Sequence, residues 1–153
     1  MTHRANRYRL DLELATSDLL ELEAAIADAY AKATDFRRII ELCRPGELLH
    51  SAAYSWAEPV REVIRHQALN ALFHVAHTAE DTMAVEALQV AVRLDPYAEQ
   101  IYQHLIRRHT DAGRPDAAIA IYRQLRARLA EIDAEPTNET EALLPIPRSR
   151  PRR

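Results

Sequence analysis

Ala84-Val85-Glu86-Ala87-Leu88-Gln89-Val90-Ala91 and Ala118-Ile119-Ala120-Ile121-Tyr122-Arg123-Gln124-Leu125 follow one apolar pattern, repeated 34 residues apart. Ala84 maps to Ala118, Leu88 to Tyr122 and Ala91 to Leu125. The stretch in front repeats too, with Ala68 mapping to Tyr102, Leu72 to Ile106 and Val75 to His109. Within each copy the apolar residues recur at three and four, the period of an amphipathic helix. A fixed period of this length marks stacked helical units that bury their apolar faces against neighbours.

Working outward, the flanks supply helix starts and stops. Asp81 opens one helix, carrying Ala84, Ala87, Leu88, Ala91 and Leu94. Asp95-Pro96 predicts the next start, with Asp as cap and Pro just inside; Ile101, Tyr102, Leu105 and Ile106 line its inner face. Gly113 ends it, and Pro115 opens the helix of Ala118, Ile121, Tyr122, Leu125, Leu129 and Ile132. Upstream, a helix starting between Ser55 and Pro59 carries Val60, Val63, Ile64, Ala68, Ala71, Leu72 and Val75. Before it come a helix from Asp18 (Leu19, Leu22, Ile26, Ala29) and a short one from Thr34 or Asp35 (Phe36, Ile39, Ile40, Cys43), stopped by Pro45-Gly46. Residues 45–55 read as a loop in which Leu48, Leu49 and Tyr54 pack down. Tyr8-Arg9-Leu10-Asp11-Leu12 alternates like a strand without a partner, the remnant of a neighbouring domain.

Thirty-four residues is the period of tetratricopeptide repeats, whose small residues let paired helices approach closely. This sequence resembles them at the small and bulky second-helix positions, and Pro96 stands where the repeat's terminal proline belongs. It departs where Leu72 and Ile106 take the usual small first-helix position and Ala130 replaces the second terminal proline. The expected fold is all-α, a tetratricopeptide-like right-handed array of about three hairpins from six main helices. The competing reading is a plain helical bundle with accidental spacing. Three regions follow: an arm over 1–17, the helical domain over 18–135, and a flexible Arg/Pro-rich tail over 136–153.

Composition removes whole classes of function. With only Gly46 and Gly113, no glycine-rich phosphate loop can be written into the chain. Cys43 is the sole cysteine, so neither an internal disulfide nor a CxxC pair exists. No apolar run of about 18 residues is present, and Arg4, Arg7, Arg9, Asp11 and Glu13 interrupt the N-terminus, so the expectation is a cytoplasmic protein. The net charge is -3, but Arg148, Arg150, Arg152 and Arg153 stand at one end, and the remainder carries -7. Such a body repels phosphate backbones. The arginine tail reads as a solvated segment.

Among candidate sites, His74, His77 and Glu80 raise a metal reading. The two histidines are expected to share a helix face, whereas Glu80 lies about 240° round from His74 at 100° per residue. No metal or cofactor is expected, nor does any nucleophile–base set stand in a recognisable context, so no catalytic residues are assigned. Trp56 reads as a core anchor. In tetratricopeptide arrays, first-helix residues not needed for hairpin packing line the concave surface. Carried over, the register places His66, Leu69, Asn70, Phe73 and His77 in a partner-binding groove with Gln100, Gln103, Arg107 and Asp111. An aromatic anchor, amides and an arginine suit a peptide or partner helix. Phe73 is also readable as ordinary core.

From Tyr8 to about Leu144 the chain resembles the bacterial transcriptional activator domain, the helical module of antibiotic-regulatory-type activators. The resemblance lies in Tyr8-Arg9-Leu10 followed by Asp18, Pro45-Gly46-Glu47-Leu48-Leu49, and Trp56-Ala57-Glu58-Pro59 with Arg61. Leu94-Asp95-Pro96, Gly113-Arg114-Pro115, Ala118-Ile119-Ala120-Ile121-Tyr122, and Glu135-Pro136 with Glu139-Thr140 follow in order. Ile132-Asp133-Ala134 departs from the family's leucine-glycine-valine. The family's domain usually follows a winged-helix DNA-binding domain; this sequence holds none before Tyr8, so the expectation is either a piece of a longer polypeptide or a variant architecture. The resemblance therefore implies regulation, without DNA contact by the helical body. The expected partners are proteins, such as transcription machinery or a neighbouring regulatory domain, and exposed repeat ends predict a homo-oligomer. Neither membrane contact nor catalysis is expected. A stand-alone adaptor is the second reading, and an enzyme accessory subunit the third.

Overall fold

The computed structural model describes residues 2–4, 7–9, 17–32, 36–46 and 55–144. The chain opens with an antiparallel pair, β1 (Thr2–Arg4) and β2 (Arg7–Arg9), in the register Thr2 to Arg9, His3 to Tyr8 and Arg4 to Arg7. The strand expected at Tyr8 and Arg9 thus has a partner, contrary to the sequence reading. Backbone pairing needs no apolar period, so residues 2–4 carried no signal of it. Leu10, Asp11 and Leu12 lie outside the described residues.

Seven helices follow among the described residues: α1 (Asp18–Lys32), α2 (Phe36–Cys43), α3 (Glu58–Thr78), α4 (Asp81–Leu94), α5 (Glu99–Asp111), α6 (Pro115–Ala130) and α7 (Asn138–Glu141). Leu22 and Ala29 of α1 meet Ile39, Ile40 and Cys43 of α2 in the core. The exposed pair Arg38–Glu21 joins these two helices, and Arg44–Glu86 ties the end of α2 to α4. Thr34, Asp35 and residues 47–54, with Leu48, Leu49 and Tyr54, lie outside the described residues, as does the Trp56 side chain.

A 3-10 turn at Ser55–Ala57 runs directly into α3; Ala57 precedes the helix and Pro59 takes its second position. Proline loses nothing there, because the first N–H groups have no intrahelical acceptor. Ala68, Ala71, Leu72 and Val75 are buried as expected, but Val60 and Val63 are 43% and 57% exposed. They stand on the side of α3 that carries the exposed Gln67, Asn70 and His77, whereas Arg61, in the same two turns, is buried with Ala68 and Leu72.

The repeat accounts for the packing. Helix α3 pairs with α4 and α5 with α6, while α2 lies on α3 and α4, and α4 on α5. Of the twelve repeat-matched residues, all but Tyr122 are buried, including the bulky Leu72 and Ile106. Ile132, expected in the last stripe, is 52% exposed because α6 ends at Ala130. At the close of α5, Arg114 N–H donates to the His109 carbonyl at 2.8 Å and Gly113 N–H to Thr110 at 3.0 Å, with Gly113 at φ +68. This pair of bonds is a Schellman motif, for which the glycine supplies the left-handed residue.

Two boundaries differ from expectation. Asp95 and Pro96 do not open α5; Asp95 caps the end of α4, and the helix starts at Glu99. The Pro96 carbonyl instead accepts the Tyr102 hydroxyl at 2.9 Å, which holds the turn against the buried ring. Nor is the chain loose after Pro136, for Thr137–Leu144 folds onto the body through α7, where Thr140 is fully buried. Residues 145–153, with the terminal arginines, lie outside the described residues.

Candidate interaction groove

Side chains that the core leaves over gather where α3 passes α5. Phe73 is half-buried, and its ring meets His104 edge-on, with centroids 5.6 Å apart. His77 approaches the same imidazole at 5.2 Å and 77°, and its Nδ1 donates to the Phe73 carbonyl at 2.7 Å, which fixes the ring on its own helix. Arg107 follows His104 by three residues, so the two share a face of α5. Burial lowers the pKa of His104, and the nearby His77, Arg107 and Arg108 lower it further. This imidazole bridges the two helices.

Of the nine expected groove residues, His66, Asn70, His77, Gln100, Arg107 and Asp111 are exposed, and Leu69, Phe73 and Gln103 are half-buried. Leu69 and Phe73 also pack against the core. Arg107 and Asp111 make no ion pair among the described residues. His66 is turned back on its own helix, with Nδ1 3.0 Å from the Glu62 carbonyl. His104 was missed, although the signal was present: adding the 34-residue period to Asn70 lands on it.

Gln103 is already engaged. Its amide donates to Thr140 Oγ1 at 2.8 Å, so it clamps the chain's own C-terminal segment. Beside it, one Glu99 oxygen accepts from Thr137 N–H at 2.7 Å, from the Thr137 hydroxyl at 2.8 Å, and from the Thr140 hydroxyl. Burial raises the Glu99 pKa, but these three donors outweigh it and the net shift is downward. Tyr122 adds a bond from its hydroxyl to Glu141 at 3.0 Å. A cleft of about 410 Å³ remains between Gln100, Gln103 and the segment at Thr137 and Glu139.

Residues 18–144 match the family model of the bacterial transcriptional activator domain. The chain belongs to that family. The match opens at the first residue of α1 and takes in α7, so the activator domain includes the segment clamped by Glu99 and Gln103. The family is a regulatory one, and it places the chain in a role related to transcription activation. No curated protein and no solved structure matches the chain. Among the described residues of the activator domain, no helix is long and apolar enough to cross a membrane.

The activator domain sends its other histidines elsewhere. His74 meets Tyr30 of α1 at 4.5 Å and Phe36 of α2 at 5.9 Å, whereas His77 faces His104. The two histidines, neighbours on one helix, thus reach different partners, one the first hairpin and the other α5, and do not converge on a common site. Among the described residues no group of three or more His, Cys, Asp or Glu side chains is arranged to hold a metal. Below the groove, Asp81 receives Arg108 at 2.9 Å and Arg114 at 3.2 Å, while Arg108 also reaches the Ala76 carbonyl. This brace fixes α5 against the end of α3. A second cleft, about 290 Å³, opens between the first hairpin and α3, walled by Leu22, Leu42, Cys43 and Ile64. Burial pushes the Cys43 thiol up to about 11, so it is an inert wall there.

Proposed function

We propose that this is the protein-contact module of a bacterial transcriptional regulator, working in the cytoplasm through the α3–α5 groove, with copies of the chain associating and no catalytic step. The observation that carries the reading is the Phe73–His104–His77 ring cluster with exposed Arg107 beside it. A helical array needs neither an exposed guanidinium nor a half-open aromatic cluster for its own packing, and both are typical of sites where a partner supplies the remaining contacts. The partner is transcription machinery or a neighbouring regulatory domain.

Arg107→Glu in the chromosomal gene tests this. The expected transcript profile matches that of a deletion strain, while the purified variant keeps its helicity and melting temperature. A profile like that of the wild type overturns the groove. If deletion itself leaves the transcripts unchanged, a stand-alone adaptor unrelated to transcription becomes the better reading.

A further inference from the structure

The groove has a sign as well as a shape. Arg107 is exposed and makes no ion pair among the described residues, on a chain whose body outside the terminal arginines carries -7. Of the other carboxylates on these helices, Asp81 is held by Arg108 and Arg114, and Glu62 by Arg65 at 2.7 Å. The one acidic residue of the groove set, Asp111, stands a turn further along α5. Next to this cation is an apolar surface, Phe73 edge-on to His104, and Asn70 lies one turn before it on α3.

We propose that the groove takes an acidic peptide segment carrying one large apolar side chain, seated with that side chain on Phe73 and His104 and a carboxylate on Arg107. The proposal rests on reading the groove as the partner site and names its occupant's chemistry. A guanidinium matches a carboxylate with two parallel hydrogen bonds, and a half-buried ring gives an anchor its contact area. Nucleic acid fits worse, because phosphate backbones are held by several cations at once and this groove offers one guanidinium. The Asn70 amide is placed to bond the peptide backbone.

A phage-displayed library of random peptides of about sixteen residues, some four turns if helical, is selected on the full chain. Enriched sequences are then measured against Arg107→Glu and Phe73→Ala, both checked for unchanged melting; Asn70→Arg, on an exposed position, replaces Phe73→Ala if that variant is unstable. The expected peptides carry net negative charge and an aromatic or large aliphatic residue, and lose about tenfold in affinity on Arg107→Glu. Groove-dependent peptides that are neutral or basic overturn the acidic occupant and leave the groove standing. If no peptide depends on Arg107, Phe73 or Asn70, the groove reading falls with it. Random DNA duplex that binds the wild type and not Arg107→Glu overturns the peptide class.

Discussion

His104 shows how one residue serves both packing and surface. It is half-buried between Phe73, His77 and Arg107, and burial, first among the causes, keeps its pKa below the ordinary 6.5. His109 is lowered likewise by burial and then by Arg114. On acidification the unfolded chain takes up these two protons first, so stability declines as pH falls below about 6.5 and rises with pH through that window. The carboxylates act in a different range: Glu99, lowered in the folded state, contributes stability that is present above the ordinary carboxylate range and lost as pH falls through it. Urea midpoints from about pH 7 to about pH 5.5 should therefore fall for the wild type and fall less for His104→Gln. Equal midpoints across that range contradict the placement of both histidines.

At the scale of elements, α7 is the clearest case of a short helix held by its contacts. Four residues cannot sustain a helix alone. Thr137 caps its start by accepting Thr140 N–H, and Glu99 and Gln103 grip the Thr140 hydroxyl from below. Thr140→Val keeps the volume and removes the hydroxyl, leaving a carboxylate and an amide short of a partner. The expected cost is about 1–3 kcal/mol in urea unfolding, with faster amide exchange over residues 138–144. A loss below about 0.5 kcal/mol would mean that Thr137 alone holds the segment. In residues 136–144 the proline and the acidic residues read as solvent-loving and only the family resemblance of Glu139-Thr140 reached this segment, because the decisive acceptor comes from α5, some forty residues earlier.

For the whole molecule, each hairpin covers one face of the next, and the array leaves apolar side chains at its margins: Leu20, Tyr30, Val60, Val63, Tyr97 and Ile132. Val60 and Val63 stand on the exposed side of α3 with Gln67 and Asn70. If copies associate as proposed, sedimentation equilibrium should give a mass above 17.5 kDa, and Val60→Glu with Val63→Glu should lower it toward the monomer. A wild type that sediments as a monomer at every concentration removes self-association and leaves the groove unaffected.

The sequence by itself determined the helical class, the two matched hairpins and the positions of their core, because a 34-residue period of apolar residues admits few other arrangements. Ala84, Leu72 and Ile106 were legible for that reason, as were Gly113 and Pro115, whose backbone restrictions act locally. Tertiary structure decided what depends on neighbours distant in the chain. Val60 falls on the exposed side of α3; the Pro96 carbonyl takes the Tyr102 hydroxyl while α5 starts at Glu99; Glu99 turns an apparent tail into α7. The groove was legible as a register and not as contacts: Asn70 and Arg107 were placed, and the register also reaches His104, but its contacts with Phe73 and His77 exist only once α3 and α5 stand side by side.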